Sequence, residues 1–184
     1  MKIVALILLV PLVVWWGLIL KVYFFPYKRR KPVPIAVLGG KLCAICLEGY
    51  AWDKKKDEFD AAIANFLALD ASALKEAEEH VFRYYKDYEE NWKSCDDDFV
   101  AIESSKEVWR HVRFGSEPVV QRRKYGDKWI YVSLECGCDW EEEHGMQLVF
   151  KNGLKISKVG PFDGHLTNSD ASADESLENV VYKG

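Results

Sequence analysis

The longest apolar stretch of the chain lies at its beginning. Residues 3–20 contain no charged side chain, and beyond the single Lys21 the apolar pattern continues to Phe25. A helix needs about 20 such residues to cross the hydrocarbon core of a bilayer. The pattern therefore predicts a transmembrane anchor in residues 1–25, with residues 3–25 in contact with lipid.

The charges around this stretch predict its orientation. Lys2 precedes it, whereas four basic residues at 28–31 follow it, within a Pro-containing linker at 26–34. Basic residues next to a membrane span usually stay in the cytoplasm, so we predict a single-pass protein with a cytoplasmic domain. A cleaved signal peptide has the reverse order, with its charges ahead of the apolar core. Five cysteines, an odd number, also fit a reducing compartment.

Two amphipathic helices are predicted between residues 56 and 92. The first has apolar residues at helical spacing, with Asp57 as its cap: Phe59, Ile63, Phe66 and Leu67. The second starts near Ala73, capped by Asp70 or Ser72, and its buried stripe is Leu74, Ala77, Val81, Tyr85, Tyr88 and Trp92. Ser104 and Glu107 have the spacing of a capping box and predict a third, short helix.

Alternating apolar residues predict strands in the second half of the chain. In residues 128–136 the apolar members, which we expect on a buried face, are Ile130, Val132, Leu134 and Cys136. Residues 146–150 and 154–159 predict a hairpin. A three-residue loop at 151–153 would pair Phe150 with Leu154 and Leu148 with Ile156, with Gly153 in the left-handed conformation.

These elements together predict an α+β protein. An N-terminal transmembrane helix is followed by a domain, residues 35–168, in which two or three helices pack on a mainly antiparallel sheet built from hairpins. Two further short β segments, separated by a glycine turn at 39–40, would lie at its start. Residues 169–184 are rich in Ser, Ala, Asp and Glu and are predicted to form an acidic, mobile tail.

The charge of the domain limits its partners. After Lys31 the chain contains 19 basic and 29 acidic residues, a net charge of −10. Such a domain repels phosphate backbones, so we expect no binding to DNA or RNA. A basic protein partner is the better electrostatic match.

Thiols, carboxylates, an indole and an imidazole occur together in residues 136–145. Cys136, Cys138 and His144 are candidate zinc ligands, and the neighbouring acids that could complete a metal site or act as a base are Asp139, Glu141, Glu142 and Glu143. In the structural alternative, Trp140 anchors the edge of the core, His144 hydrogen-bonds a carboxylate or carbonyl, and Gly145 permits a bend. A third interpretation is that residues 136–145 form a protein-binding surface. The spacing matches no standard zinc, hydrolase or nucleotide-binding motif.

These residues also carry a family resemblance. The run Cys-Asp-Trp-Glu-x-Glu-His-Gly at 138–145, followed by Val-Gly-x-Phe-Asp-Gly at 159–164, resembles a bacterial domain family known only as a domain of unknown function. The resemblance extends from about Leu38 to Gly164 and leaves the membrane segment outside. It implies a shared α+β fold and an important motif, but no enzyme class. The candidate motif residues are Asp139, Trp140, Glu141, Glu143, His144, Gly145, Asp163 and Gly164.

The leading functional hypothesis is a non-enzymatic binding or immunity-like protein anchored in a bacterial inner membrane, with neither catalytic residues nor a cofactor. By analogy, some small bacterial domains act as immunity proteins against toxins. One alternative is a metal-dependent hydrolase centred on Cys136, Cys138 and His144. Another is a purely structural membrane-associated protein.

Overall fold

The computed structural model describes residues 27–93 and 99–184 of the chain. The predicted transmembrane segment, residues 1–25, lies outside the described residues. Within the described ranges, no helix combines the length and the apolar character that a bilayer span requires.

The described residues form an α+β domain built around a mostly antiparallel sheet, which confirms the predicted class. Its strands are β1 (Tyr27–Arg29), β2 (Val33–Ile35), β3 (Lys41–Cys43), β4 (Cys46–Glu48), β5 (Val112–Phe114), β6 (Val119–Arg122), β7 (Ile130–Cys138), β8 (Glu141–Lys151) and β9 (Lys155–Pro161). The main sheet has the order β1-β4-β6-β7-β8-β9, and β5 pairs with the C-terminal end of β7. Strands β2 and β3 form a separate pair. Strands β4 and β6 are parallel, and every other pairing is antiparallel.

Three helices cover one face of the main sheet: α1 (Lys56–Ala68), α2 (Ser72–Lys75) and α3 (Glu78–Trp92). A fourth helix, α4 (Asn168–Ser172), follows β9, and short 3-10 helices span Ala36–Leu38, Ser105–His111 and Glu175–Leu177. Helices α1 and α3 share one apolar core with β7, β8 and β9. Phe66 of α1 packs edge-on against Phe150 of β8, with ring centroids 5.1 Å apart.

Several predicted details of the helices are wrong. Helix α1 begins after Lys55, so Asp57 lies inside its first turn and cannot cap it. The second predicted helix is broken into α2 and α3 at residues 76–77. Its last stripe residue, Trp92, is exposed, whereas Tyr84 is buried. Ser104 forms no side-chain cap, so the predicted capping box is absent.

The register of the β8–β9 hairpin also differs from the prediction. Phe150 pairs with Ile156 rather than with Leu154, and a bulge shifts the register between Val149 and Phe150. Gly153 is left-handed, as expected, with φ +66°. A Cβ at Gly153 would overlap the backbone carbonyl of Ala62 in α1. The packing of the turn against α1 therefore determines the hairpin register. The alternation of apolar and polar residues along the strands carries no information about that contact.

Both faces of β7 are buried, although only one was expected to be. Ile130, Val132, Leu134 and Cys136 point into the main core, as predicted. On the other face, Tyr131 and Val149 form a smaller apolar cluster with Leu166. The chain beyond β9 returns over this second face and covers its polar residues as well.

The predicted linker and the predicted tail both belong to the folded domain. Residues 27–29 of the linker are edge strand β1, and Arg29 pairs with Glu117 at 2.7 Å. In the tail, the Val159 N–H donates to the Val181 carbonyl at 2.7 Å. Tyr182 is buried against Tyr84, with ring centroids 5.8 Å apart. These contacts hold residues 169–184 against the sheet, in contrast to the mobile tail that their composition suggested.

Candidate functional site

The motif at 136–145 forms the hairpin between β7 and β8. Cys138 pairs with Glu141, so Asp139 and Trp140 are the two residues of a tight turn. The Asp139 N–H donates to the carbonyl of His111 at 3.0 Å, which ties the turn to the residue before β5. We call residues 138–145 the hairpin tip.

Trp140 is the apolar anchor of the hairpin tip. Its side chain is 4% exposed and its ring packs edge-on against both Tyr84 and Tyr85 of α3, with centroid distances of 5.9 Å. The indole N–H is buried and has no hydrogen-bond partner among the described residues. Trp140 therefore acts through packing, and its contacts join the hairpin tip to α3.

Glu141 shapes the backbone that follows the turn. Its buried carboxylate accepts the backbone N–H groups of Glu143, at 3.1 Å, and of His144, at 2.9 Å. The His144 imidazole Nδ1 also lies 3.3 Å from the same oxygen. A carboxylate that is occupied by two backbone donors has a structural role and is poorly placed to act as a general base.

Gly145 allows the chain to approach β7 closely. Its φ is +69°, and a Cβ built at this position would lie 2.5 Å from the Cys136 carbonyl oxygen. The Tyr84 hydroxyl donates to the Gly145 carbonyl at 3.2 Å. Both the backbone conformation and the lack of space require glycine here.

The structure does not bring the three candidate zinc ligands together. Cys136 and Cys138 are buried, and loss of hydration raises the pKa of each thiol to about 12. His144 lies outside the core, with 63% of its side chain exposed. Among the described residues, no group of three or more His, Cys, Asp or Glu side chains is arranged to hold a metal ion. A thiol with so high a pKa is also a weak nucleophile at neutral pH.

Asp139 belongs to a charged cluster that sequence reasoning missed. Its carboxylate lies 3.1 Å from the His111 Nδ1 and is paired with the Arg113 guanidinium. His111 and Arg113 flank the start of β5, which pairs with β7 beside the turn. Nothing in the local pattern at 111–113 indicated this pairing, because β5 is only three residues long.

Asp163 and Gly164 take part in a different set of contacts. Asp163 pairs with Lys158, whose side chain is 1% exposed, and accepts the His165 N–H at 2.8 Å. Burial lowers the pKa of Lys158, and the Asp163 carboxylate opposes that shift. Gly164 has φ +75°, and a Cβ added to it would meet no atom within 4 Å, so this glycine serves the turn alone. Asp163 thus compensates a buried charge on the second face of the sheet.

The hairpin tip exposes two acidic side chains beyond these structural contacts. Glu142 is exposed and has no side-chain partner among the described residues. Glu143 is 85% exposed on its side chain, and the His144 imidazole Nε2 lies 3.9 Å from its carboxylate. A rigidly anchored hairpin therefore presents two carboxylates and an imidazole to solvent.

The fold and the site together define the protein as an α+β domain with a packed hairpin tip. The chain belongs to a family described as a domain of unknown function, DUF6985, which matches residues 18–166. The match begins about twenty residues earlier than the resemblance at Leu38 implied, and it includes the end of the apolar segment. No curated protein and no solved structure matches the chain.

Proposed function

We propose that the protein is a non-enzymatic binding protein of the immunity-like type, anchored in a bacterial inner membrane. Residues 1–25 cross the bilayer once, and the domain lies in the cytoplasm. The exposed carboxylates of Glu142 and Glu143 engage a basic surface of a protein partner.

The observation that carries this proposal is that the exposed acidic group directly follows two anchored residues, Trp140 and Glu141. Glu142 and Glu143 follow directly after Glu141, whose buried carboxylate fixes the backbone. Trp140 holds the same hairpin against α3. Because the backbone of the hairpin tip is already held by these contacts, its binding to a partner would cost little backbone entropy.

The same geometry argues against a hydrolase at Cys136, Cys138 and His144. Two buried thiols with pKa values near 12 and an imidazole on the surface do not form one reaction centre. Elemental analysis of the purified protein tests this alternative. Stoichiometric zinc that is lost in Cys138→Ser and in His144→Ala would favour the hydrolase over the binding protein.

The binding proposal is tested by charge reversal at the hairpin tip. The full chain and its Glu142→Lys, Glu143→Lys variant are compared in pull-downs from native membranes, with quantitative protein detection. We expect a basic partner to be captured by the wild type, lost in the variant, and weakened by salt, because the contact is electrostatic.

A matched control reverses two exposed acids elsewhere, Glu76→Lys and Glu175→Lys, which alters net charge by the same amount. Capture should survive in this control. Identical proteins captured by all three chains would contradict a role for the hairpin tip. If no chain captures any partner, the purely structural alternative is favoured.

Membrane anchoring is tested separately. The chain should resist extraction by alkaline carbonate, and a C-terminal fluorescent protein should be bright while a C-terminal alkaline phosphatase stays inactive. Strong phosphatase activity would place the domain on the other side of the membrane.

A further inference from the structure

The end of the sheet opposite the hairpin tip is where the chain enters the domain. Tyr27, the first described residue, pairs with Glu48 at the end of β4. The loops that leave β4, join β6 to β7, and join β8 to β9 all lie at this end, because Glu48 is level with Gln121 and Tyr131 with Lys151. We call residues 49–58, 122–129 and 151–155 the anchor-side loops.

Polar contacts join the anchor-side loops into one surface. The Arg122 guanidinium donates to the Asp53 carboxylate at 2.6 Å and to the Lys55 carbonyl at 3.4 Å. The Asn152 N–H donates to the Ile130 carbonyl at 2.7 Å. The loops therefore lie side by side across the strands β4, β6, β7 and β8, a width of about 14 Å at the usual spacing of strands.

This surface exposes large apolar side chains. Trp52 is 70% exposed, Tyr125 72%, Trp129 49% and Leu154 55%. A single exposed aromatic residue is ordinary, but four large apolar side chains at one end of a domain indicate a contact surface. Trp and Tyr are also the residues that favour the boundary between a bilayer and water.

The same surface is basic in an otherwise acidic domain. The anchor-side loops contain nine Lys or Arg residues and four Asp or Glu residues, but one of the nine, Arg123, is buried and pairs with Asp170 and Glu178. Three of the four acids are already paired: Asp53 and Glu58 with Arg122, and Asp127 with Lys151. In contrast, Lys54, Lys124 and Lys155 are exposed, and their side chains have no hydrogen-bond or ion-pair partner among the described residues.

The length of the chain fixes how far this surface can be from the membrane. Tyr27 follows Phe25 by two residues, which span at most about 7 Å even when fully extended. Arg29 and Arg30 are paired with Glu117 and Asp60, so two of the four basic residues at 28–31 are engaged within the domain. Among the described residues, Lys31 and the unpaired lysines of the anchor-side loops remain free to face a bilayer.

We propose that the anchor-side loops lie against an anionic bilayer surface, with Trp52, Tyr125 and Trp129 in the interfacial layer and the free lysines at lipid phosphates. This inference rests on the membrane anchor proposed above. It adds a second lipid contact that sets the orientation of the domain, so that the hairpin tip points away from the membrane.

The test uses the full chain in nanodiscs of phosphatidylcholine and phosphatidylglycerol. The photoreactive residue p-benzoylphenylalanine replaces Trp129 in one variant and Trp92 in another. Both tryptophans are exposed, but Trp92 ends α3, whose Tyr84 contacts the hairpin tip. After illumination we expect several-fold more lipid adduct at position 129 than at position 92.

Charge is tested in the same system. Lys54→Glu, Lys124→Glu and Lys155→Glu together should lower the adduct at position 129 several-fold, and nanodiscs of phosphatidylcholine alone should have a similar effect. Equal adducts at positions 129 and 92, in a chain that stays in the nanodisc, would overturn this inference and leave the anchor intact. Failure of the chain to enter nanodiscs would overturn the anchor and the inference together.

Discussion

The two ends of the sheet are held together by different forces. At the hairpin tip, the indole of Trp140 packs between two tyrosines, and the buried thiols of Cys136 and Cys138 complete the core. At the anchor-side loops, Arg122 binds two carboxylates and the Lys55 carbonyl, which joins the loops 122–129 and 49–58. The hairpin tip thus combines apolar packing with the Asp139–Arg113 ion pair, whereas the anchor-side loops are joined by the ion pairs and hydrogen bonds of Arg122.

This difference separates the side chains that hold the fold together from those that remain available to a partner. Three residues that the sequence offered for metal binding or catalysis have structural roles instead. Cys136 and Cys138 pack in the core, and Glu141 accepts hydrogen bonds from the backbone. The described side chains that remain available to a partner are exposed ones. They include Glu142 and Glu143 in the hairpin tip, and the unpaired lysines and exposed tryptophans of the anchor-side loops. Four predictions test this contrast, and stability is measured on residues 27–184, which include strand β1.

The largest effect is expected at Trp140. Trp140→Ala should lower the free energy of unfolding by about 3–5 kcal/mol, because it leaves a cavity between α3 and the hairpin tip. Trp129→Ala, at the other end, should change it by less than about 0.5 kcal/mol, since that side chain is half exposed. Urea unfolding followed by circular dichroism measures both. Equal losses in the two variants would contradict the contrast between the ends.

Arg123 should give the next largest effect. Its guanidinium is 3% exposed and binds Asp170 and Glu178, each with contacts of 2.8 Å. Arg123→Met should cost about 3 kcal/mol, because it leaves those carboxylates without their cation. Hydrogen exchange should also become faster in residues 169–184, which the ion pairs hold against the sheet.

The pH dependence provides the control for Arg123. The hydrogen bond from Arg123 lowers the pKa of Glu178. That stabilisation is complete above the unfolded pKa of about 4.3 and is lost as the pH falls through the lowered folded pKa. The stability difference between wild type and Arg123→Met should therefore shrink between pH 5 and pH 2. A constant difference over this range would exclude the ion pair as its source.

Gly145→Ala should cost at least about 2 kcal/mol, through a strained left-handed backbone and a clash with the Cys136 carbonyl. Gly164→Ala is the matched control: its φ is similar, but the surrounding space is open, so it should cost about 1 kcal/mol. The difference between the urea midpoints of the two variants separates the cost of the left-handed backbone, which both share, from the cost of the steric clash, which only Gly145→Ala has. Equal midpoints would mean that the hairpin tip relaxes to accept the new methyl group.

The smallest effect is expected at His144. His144→Ala should change stability by less than about 0.5 kcal/mol, because the imidazole is exposed and the backbone N–H keeps its bond to Glu141. An unchanged urea midpoint and slope would assign His144 to the exposed surface. A loss of 1–3 kcal/mol would instead mean that Glu141 depends on the imidazole as a hydrogen-bond partner.

Strong local periodicity predicted the elements that form the core. The alternation at 130–136 identified β7, and helical spacing identified α1 and most of α3. Strands β1, β4 and β5 have three residues each, which is too short for a pattern, and their pairing depends on distant partners. Tyr182 follows Val180 and Val181 at the end of a mostly polar segment, and no periodic pattern indicated that it packs against Tyr84.

The sequence predicted a candidate site at 136–145 but not the arrangement of its side chains. The structure shows that this segment is the hairpin between β7 and β8. Which side chains face the core depends on the pairing of Cys138 with Glu141, and this could not be read from the sequence. The cluster of His111, Arg113 and Asp139 required the β5–β7 pairing.

The topology of the sheet has a consequence for how the domain folds. Strands β7, β8 and β9 are joined by tight turns, so their contacts form at little cost in chain entropy. The parallel pairing of β4 with β6 must bring residues 46–48 to 119–121, across both long helices, and such distant contacts form slowly. We therefore expect the β7–β9 meander to form first and edge strand β1 to be added last. Pulse-labelled hydrogen exchange during refolding would show early protection in 130–151 and late protection in 27–29, and the reverse order would refute this sequence of events.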